Sequence, residues 1–358
     1  MNITEKSIPG YERVVFGEDP ACGYRGIIAI HNTVLGPAAG GTRFWNYASD
    51  DDALRDVLRL ARGMTYKSAL AGLPCGGGKS IILGNNRTAE REKIFRAHGR
   101  FVHSLGGKYI TAEDVGTSPA DMEFVLKETP YVAGLQGKSG DPSPRTGRGV
   151  FRAMQAAAHH RWGSDDLAGR TVALQGCGNV GYHLAAELHR AGAKLVVTDV
   201  DEGRVQRMVR EFGAQAVAAA EIYALKADIF APCALGAILN DETIPKLRVE
   251  IVCGGANNQL LETRHGDLLE ERGILYAPDY AANAGGIISG GCIEMLGWDE
   301  ARMLERVDAI YDCLSEIFKL ARERGLGTWR AADILAEQRL QARALTTEDT
   351  KEHKGRTN

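Results

Sequence analysis

Two features that would narrow the class of protein are missing from the sequence: paired cysteines and long apolar segments. The seven cysteines among 358 residues are scattered and include no C-x-x-C pair, so neither a disulfide framework nor a zinc site is expected. The N-terminal stretch lacks the apolar core of a signal peptide, and no run of about 18 apolar residues occurs elsewhere. We therefore predict a cytoplasmic protein without a metal site.

A strong charge of either sign is also absent. The chain has 43 Lys and Arg against 46 Asp and Glu, a net charge of -3, which gives no reason to expect nucleic acid or membrane as a partner. Its 358 residues are more than one hydrophobic core usually supports, so we predict two domains.

Glycine, by contrast, is abundant: it accounts for 43 of the 358 residues, well above its usual share of about 7%. Many of them occur in clusters, at 40–41, 76–78, 254–255, 285–286 and 290–291. Clustered glycines indicate backbone that turns sharply or approaches a ligand closely.

The second half of the chain alternates strands and helices. Apolar strands are predicted at 171–175, 194–199, 228–231, 250–253 and 273–277. This alternation is typical of a doubly wound parallel sheet with helices on both faces.

The first half mixes strands at 25–31 and 79–83 with a helix at 51–64, which predicts a separate α/β domain. The Gly-, Pro- and Ser-rich stretch 138–148 is predicted to be a hinge, followed by a helix at 149–162. We expect a first domain of residues 1–137, completed by a returning C-terminal helix at about 330–358. The second domain is expected at 138–329, with a cleft between the two.

A dinucleotide-binding motif opens the second domain, where the strand TVALQ leads directly into G-x-G-x-x-G. The motif comprises Gly176, Gly178, Asn179, Val180 and Gly181. Asp199 ends the next predicted strand, where a carboxylate would accept both ribose hydroxyls and repel the 2′-phosphate of NADP. This pattern predicts NAD as cofactor, although Arg204 nearby argues in the other direction. The alternatives are a turn of this shape that binds no nucleotide, and Asp199 as a simple cap.

Two lysines near a glycine loop carry the chemistry of the first half. Lys79 follows a glycine run that resembles a phosphate-binding loop, but Leu73 stands where that motif requires glycine. One lysine could hold a carboxylate while the other, shielded from water beside that charge, acts as a base with a lowered pKa. The alternative is that Lys67 and Lys79 are ordinary surface lysines.

An acidic residue follows the next apolar segment, ITAED, directly before a proline-started helix. Loops at strand ends often carry catalytic carboxylates, which makes Asp114 a candidate. Glu113 is the competing candidate, and an ordinary turn aspartate is the alternative.

These motifs together resemble the leucine/phenylalanine/valine dehydrogenase branch of the glutamate dehydrogenase superfamily, over residues 24–340. They are LGPAAGGTR (35–43), GMTYKSALAGLPCGGGKS (63–80), ITAEDVGTSPADM (110–122), GDPSPRTGRGVF (140–151), QGCGNVG (175–181), DIFAPCALG (228–236), GGANNQL (254–260) and LYAPDYAANAGG (275–286). The resemblance implies an N-terminal domain for substrate binding and oligomerisation, a C-terminal Rossmann-type NAD domain, and a homo-oligomer.

The resemblance also implies residue roles in oxidative deamination. Lys67 would bind the substrate carboxylate, with Gly40, Gly41 and Asn257 alongside. Lys79 would activate the water that attacks the iminium, and Asp114 would move protons to and from the nitrogen. The nicotinamide end of the cofactor would be lined by Thr146, Cys233, Ala234, Asn257 and Asn283.

The substrate side chain is expected to be apolar, since Met64 stands where the glutamate enzymes place a lysine. The pocket is expected to include Ala39, Met64, Ala133, Ile287 and Gly290. Leucine or valine is favoured, and phenylalanine or tryptophan is the alternative because three of these residues are small. A 2-hydroxy-acid dehydrogenase is disfavoured since no histidine lies in a motif, and a catalytically inactive NAD-binding protein is the remaining rival.

Overall fold

The computed structural model of the protein describes residues 1–138 and 140–355, apart from the side chains of residues 292 and 347–355. Its strands are β1 (Asn2–Lys6), β2 (Arg13–Asp19), β3 (Tyr24–Asn32), β4 (Ala38–Trp45), β5 (Gly76–Leu83), β6 (Tyr109–Glu113), β7 (Thr171–Gln175), β8 (Lys194–Thr198), β9 (Gln215–Ala216), β10 (Ile229–Pro232), β11 (Ile251–Val252) and β12 (Leu275–Tyr276).

The helices are α1 (Asp50–Ala71), α2 (Arg91–His103), α3 (Pro119–Leu126), α4 (Ser143–Trp162), α5 (Asn179–Arg190), α6 (Glu202–Phe212), α7 (Arg264–Glu271), α8 (Asp279–Ala282), α9 (Gly285–Gly290), α10 (Glu300–Asp308), α11 (Ile310–Arg324) and α12 (Thr328–Gly355). A 3₁₀ turn lies at Ile244–Lys246 and a π-helical turn at Gly291–Met295. No helix in the described ranges is both long and apolar enough to cross a membrane.

The chain divides into two compact units. The first comprises Met1–Gly140, Gly290–Trp298 and Ala336–Asn358, and the second comprises Asp141–Ser289 and Asp299–Leu335.

The first unit is built on a mixed sheet with strand order β1-β2-β3-β5-β4-β6. Strand β4 runs parallel to both β5 and β6, while β3 pairs with β5 in the antiparallel sense. Alternate residues of the central strands face opposite sides, so Ile27 and Ile81 pack with α1 while Ile28 and Ile82 pack with α2. Both faces of the sheet are therefore covered, and its central strands β3, β5 and β4 are buried along most of their length.

The second unit contains a parallel sheet with strand order β12-β11-β10-β7-β8-β9. Every strand pair in it is parallel. The chain reverses direction across the sheet at β7, next to the glycine motif, and ligands of such sheets bind at that reversal point.

Several predicted boundaries are wrong. The helix predicted at 149–162 begins earlier, at Ser143, so α4 includes the second half of the stretch 138–148 and carries Pro144 where a helix tolerates proline. Strand β8 ends at Thr198, so Asp199 follows the strand rather than ending it. Strands β11 and β12 have only two residues each.

One segment predicted for the second domain belongs to the first unit. Glu294, in the π-helical turn, accepts the backbone N–H of Gly134 at 2.8 Å and that of Leu135 at 3.4 Å. Leu73 lies against Gly291 in the same region. These contacts join residues 290–298 to the first unit. The sequence did not predict this assignment, because periodicity along the chain reports only local structure.

Candidate active site

An ion pair between Lys79 and Asp114 forms the centre of the site in the first unit. Lys79 lies in β5, and Asp114 directly follows β6, two strands away across the sheet. The Nζ atom of Lys79 lies 3.0 Å from Oδ2 of Asp114, and the two side chains are 7% and 23% exposed. Asp114 rather than Glu113 therefore provides the carboxylate that contacts Lys79.

Burial and neighbouring charges perturb both groups. Burial lowers the pKa of Lys79 and outweighs the opposing influence of Asp114, while Arg43 lowers this pKa further. Burial alone would raise the pKa of Asp114, but the charges of Lys79 and Arg43 outweigh it and leave the pKa below its usual value. The site thus combines a lysine that releases its proton more readily than usual with a carboxyl group that also releases its proton more readily than usual.

Arg43 is the residue that the sequence analysis missed. Its Nε donates to Oδ2 of Asp114 at 3.2 Å, and its Nη1 donates to Asp56 at 2.8 Å. The signal that could have found it is the two-residue period of a strand. Gly41 and Arg43 share one face of β4, and a Cβ added to Gly41 would lie 2.9 Å from Cβ of Asp114.

Glycines bring the backbone of the site together. A Cβ at Gly77 would lie 2.0 Å from the backbone nitrogen of Thr65, so α1 rests directly on β5. A Cβ at Gly40 would lie 1.9 Å from the carbonyl oxygen of Gly78 and 3.4 Å from Cγ of Met64. Side chains at these positions would separate the helix from the strands.

The second lysine, Lys67, is half-buried on α1, three residues after Met64 and so on the same face of the helix. Because Met64 lies against Gly40, that face of α1 is turned toward β4. The structure thus brings Lys67, Met64, Gly40 and Gly41 to the same side of the first unit as the ion pair.

The other predicted pocket residues lie on separate elements. Ala39 is buried in β4 opposite Gly77, and Ala133 is buried beside β6, where its N–H donates to the carbonyl of Thr111 at 2.8 Å. A Cβ at Gly290 would meet no atom within 4 Å. Ile287 lies on α9 in the second unit.

A buried polar network lies behind the glycines, on the opposite face of the sheet. The hydroxyl of Tyr109 donates to the carbonyl of Gly40 at 2.5 Å and lies 3.1 Å from the hydroxyl of Ser80. Thr42 contacts Ser80 at 2.7 Å and His98 at 2.9 Å. Since an unmade buried hydrogen bond is costly, this network holds the backbone of Gly40 in one position.

In the second unit the glycine motif forms a cradle at the start of α5. Gly176 has φ +101°, and a Cβ on it would lie 2.7 Å from the backbone nitrogen of Ala234. A Cβ on Gly181 would lie 2.0 Å from the carbonyl of Gly176, whereas one on Gly178 would have only Arg204 within 4 Å. The first and third glycines are thus required by packing, and the second leaves room for a ligand at the helix N-terminus.

Asp199 borders this cradle. Its Oδ2 accepts the backbone N–H of Cys177 at 2.6 Å, and its Oδ1 accepts that of Asp201 at 2.9 Å. These bonds fix the carboxylate beside the loop. Asn179 begins α5, and Val180 lies against Gly255, where an added Cβ would be 2.6 Å from its Cγ1. The residues present therefore fit a dinucleotide at this position.

The residues predicted at the nicotinamide end also belong to the second unit. Asn283 donates to Oδ1 of Asn257 at 2.8 Å and to the carbonyl of Gly255 at 3.3 Å. Cys233 accepts the N–H of Gly255 at 3.4 Å, while Thr146 lies close to Gly286. The structure thus brings Asn257, Asn283 and Cys233 together around Gly255, and Ala234 beside Gly176.

Comparison with known proteins covers nearly the whole chain. Residues 12–131 match the model of the Glu/Leu/Phe/Val dehydrogenase dimerisation domain, and residues 137–205 and 197–347 match that of Glutamate/Leucine/Phenylalanine/Valine dehydrogenase. The leucine dehydrogenase of Geobacillus stearothermophilus is 53% identical over 92% of this chain and 91% of its own length. The phenylalanine dehydrogenase of Caldalkalibacillus thermarum is 46% identical over 96% of this chain and 94% of its own. The crystal structure of the L-tryptophan dehydrogenase from Nostoc punctiforme superimposes with a TM-score of 0.86 at 46% identity, covering 93% of this chain and 96% of that one.

Proposed function

Since this chain belongs to the Glu/Leu/Phe/Val dehydrogenase family and is an amino acid dehydrogenase, we propose that it oxidatively deaminates leucine or valine with NAD⁺. The products are the 2-oxo acid, ammonia and NADH, and the reaction is reversible. The observation that carries the assignment of its catalytic groups is the buried contact between Lys79 and Asp114 at 3.0 Å.

The roles of the residues follow from their charge. Lys67 binds the substrate carboxylate, while the backbone of Gly40 and Gly41 lies alongside it. Residues of the cradle would hold the nicotinamide cofactor, which would supply the acceptor for a hydride from the α-carbon. Lys79, whose pKa is lowered by burial, then takes a proton from the water that attacks the substrate iminium. Asp114 carries a proton to the departing amine.

Binding of the cofactor is assigned to the cradle and to Asp199. Thr146, Cys233, Ala234, Asn257 and Asn283 would contact its nicotinamide end. An anionic carboxylate beside the loop favours a free 2′-hydroxyl over a 2′-phosphate, which supports NAD⁺ over NADP⁺. Arg204 reaches the same cradle, but it pairs with Asp201 at 3.4 Å, which partly neutralises it.

One observation supports the preference for leucine or valine, and another favours aromatic substrates. Leucine dehydrogenases reach 51–53% identity with this chain, compared with 46% for a phenylalanine and 48% for a tryptophan dehydrogenase. The small residues Ala39, Ala133 and Gly290 would enlarge the pocket, which keeps the aromatic substrates as the alternative. The matched dimerisation domain supports a homo-oligomer, and the cytoplasmic location stays a prediction.

The test is NADH formation with each of the twenty L-amino acids at mildly alkaline pH, run in parallel with NADP⁺. A signal confined to leucine, isoleucine and valine would support the proposed substrate. A signal confined to phenylalanine, tyrosine and tryptophan would replace it with the alternative. Equal rates with NADP⁺ would overturn the cofactor assignment, and no signal would favour the inactive NAD-binding protein.

Binding of NAD⁺ and NADP⁺ measured by calorimetry separates cofactor recognition from turnover. In Asp199→Ala, the affinity for NAD⁺ should fall, and the difference between the affinities for NAD⁺ and NADP⁺ should become smaller. Arg204→Ala removes the cation that lies near Gly178 in the same cradle, and it should weaken the binding of NADP⁺ more than that of NAD⁺.

A further inference from the structure

Arg43 joins the reactive pair to a carboxylate on a different element. Its Nε donates to Oδ2 of Asp114 at 3.2 Å, and its Nη1 donates to Oδ2 of Asp56, on α1, at 2.8 Å. The side chains of Arg43 and Asp56 are only 20% and 17% exposed. Arg43 therefore bridges β4, α1 and the loop after β6 through one planar group.

Asp56 is itself held firmly. The hydroxyl of Tyr47 donates to its Oδ2 at 2.7 Å, and Arg59 donates to its Oδ1 at 3.1 Å. With three donors on this carboxylate, Nη1 of Arg43 has a fixed partner. Because Nη1 is held at Asp56, Nε of the same guanidinium is directed at Asp114.

We propose that Arg43 is a positioning residue of the reaction, anchored by Asp56, that keeps the Asp114 carboxylate in place while Lys79 changes its charge. This inference rests on the proposed function of Lys79 as a base. Lys79 and Arg43 donate to the same oxygen of Asp114. When Lys79 is neutral, its attraction for the carboxylate weakens, and a buried carboxylate without a cation would be costly. A guanidinium does not lose its proton in proteins, so Arg43 supplies that cation throughout the cycle.

The same arrangement sets the direction of a pH effect. The charged groups that face Lys79 are Asp114 from the loop after β6, Arg43 from β4 and Asp56 from α1. Arg43 lowers the pKa of Lys79 and that of Asp114, whereas Asp56 raises the pKa of Lys79. Loss of the guanidinium should therefore raise both pKa values and move the acid limb of the kcat/KM profile upward. Loss of the Asp56 charge alone should not move the limb upward.

The experiment compares the pH profiles of the full-length wild type, Arg43→Met, Arg43→Lys and Asp56→Asn. In Arg43→Met the acid limb should shift upward by about one pH unit, which lowers kcat/KM about tenfold on the acid side. Arg43→Lys retains the charge and should keep the limb within about 0.3 pH unit, but kcat should fall because an ammonium group cannot bridge both carboxylates. Asp56→Asn should lower kcat without an upward shift.

A matched control variant is available in the same sheet. Arg25, on β3, pairs with Asp50 in the first turn of α1 at 2.5 Å, and both side chains are about half exposed or more. Arg25→Met removes a strand-to-helix ion pair of the same kind away from Lys79, and it should leave the profile unchanged. The proposal would be overturned if the acid limb of Arg43→Met coincided with that of the wild type. A residue with a purely structural role would lower activity without shifting the limb.

A second readout does not depend on turnover. Competitive labelling with acetic anhydride, quantified on the peptide that contains Lys79, reports the pH at which this amine becomes reactive. The midpoint should rise in Arg43→Met and stay near the wild-type value in Arg43→Lys. An unchanged midpoint in Arg43→Met overturns the inference even if the wild type proves inactive, which would separately overturn the proposed function.

Discussion

A single methyl group at Gly77 should disturb the site more than its size suggests. In Gly77→Ala the added Cβ would lie 2.0 Å from the backbone nitrogen of Thr65 and 2.4 Å from its Cα. The nearest ordinary contact is 3.4 Å, so α1 or β5 must yield by about 1.4 Å. Backbone atoms cannot yield by rotating a side chain, and the helix that carries Lys67 must move relative to the strand that carries Lys79.

Two magnitudes follow from that displacement. Overpacking of this kind typically costs about 1–3 kcal/mol of unfolding free energy. A misplacement of about 1 Å between groups that act on one substrate can lower the rate about 100-fold. Gly77→Ala should therefore lower kcat/KM for the amino acid by about two orders of magnitude, while NAD⁺ affinity in the second unit stays close to that of the wild type.

The matched control is Gly63→Ala, two residues before Thr65 in the same helix. A Cβ at Gly63 meets no atom within 4 Å, so this change should stabilise α1 by about 0.5–1 kcal/mol. The assays are thermal unfolding and steady-state kinetics of both variants. If Gly77→Ala matched Gly63→Ala in stability and activity, the inference that the α1–β5 contact sets the spacing of the two lysines would be refuted.

Three further results are expected. Lys79→Met should lower turnover by about 10²–10⁴-fold with NAD⁺ binding unchanged, and retained turnover would remove Lys79 from the mechanism. Ala39→Leu should reduce activity on aromatic substrates more than on leucine, and an unchanged ratio would show that position 39 does not line the pocket. Burial lowers the pKa of His98 to about 3, so the unfolded chain takes up a proton below about pH 6.5 that the folded chain excludes. Stability from this residue is present above that pH and should fall by up to about 1.4 kcal/mol per pH unit toward pH 3. Urea unfolding at several pH values would measure this, and an equal loss in His98→Asn would contradict the assignment.

The motifs predicted more than periodicity could. The family, the two-domain α/β fold and the enzyme class are confirmed by the comparisons, because eight separated motifs in one order specify a family. The glycine motif was readable because its parts lie within one strand–turn–helix unit of the second domain. The requirement at Gly181 comes from a residue close in sequence, Gly176, whereas the packing at Gly176 against Ala234 joins distant parts of the chain.

Boundaries were less predictable, since local composition supports more than one outcome. The Gly- and Pro-rich segment before Arg148 predicts a hinge, yet proline is also accepted in a first helical turn, and α4 begins there at Ser143. Residues 290–298 lie within the range predicted for the second domain, but the bond from Gly134 to Glu294 places them with the first unit.

The sequence by itself determined which groups are available: two lysines, an aspartate near a strand end, and glycines that permit close backbone approach. Only the tertiary structure decided which of them meet. Strand order β5-β4-β6 brings Lys79, Arg43 and Asp114 to one ion-paired cluster, although they are separated by 35 to 71 residues. Periodicity along one chain segment shows which face of an element is buried, but not which other element covers it. The contact of Arg43 with Asp114, and the burial that lowers the pKa of Lys79, therefore depend on the assembled sheet.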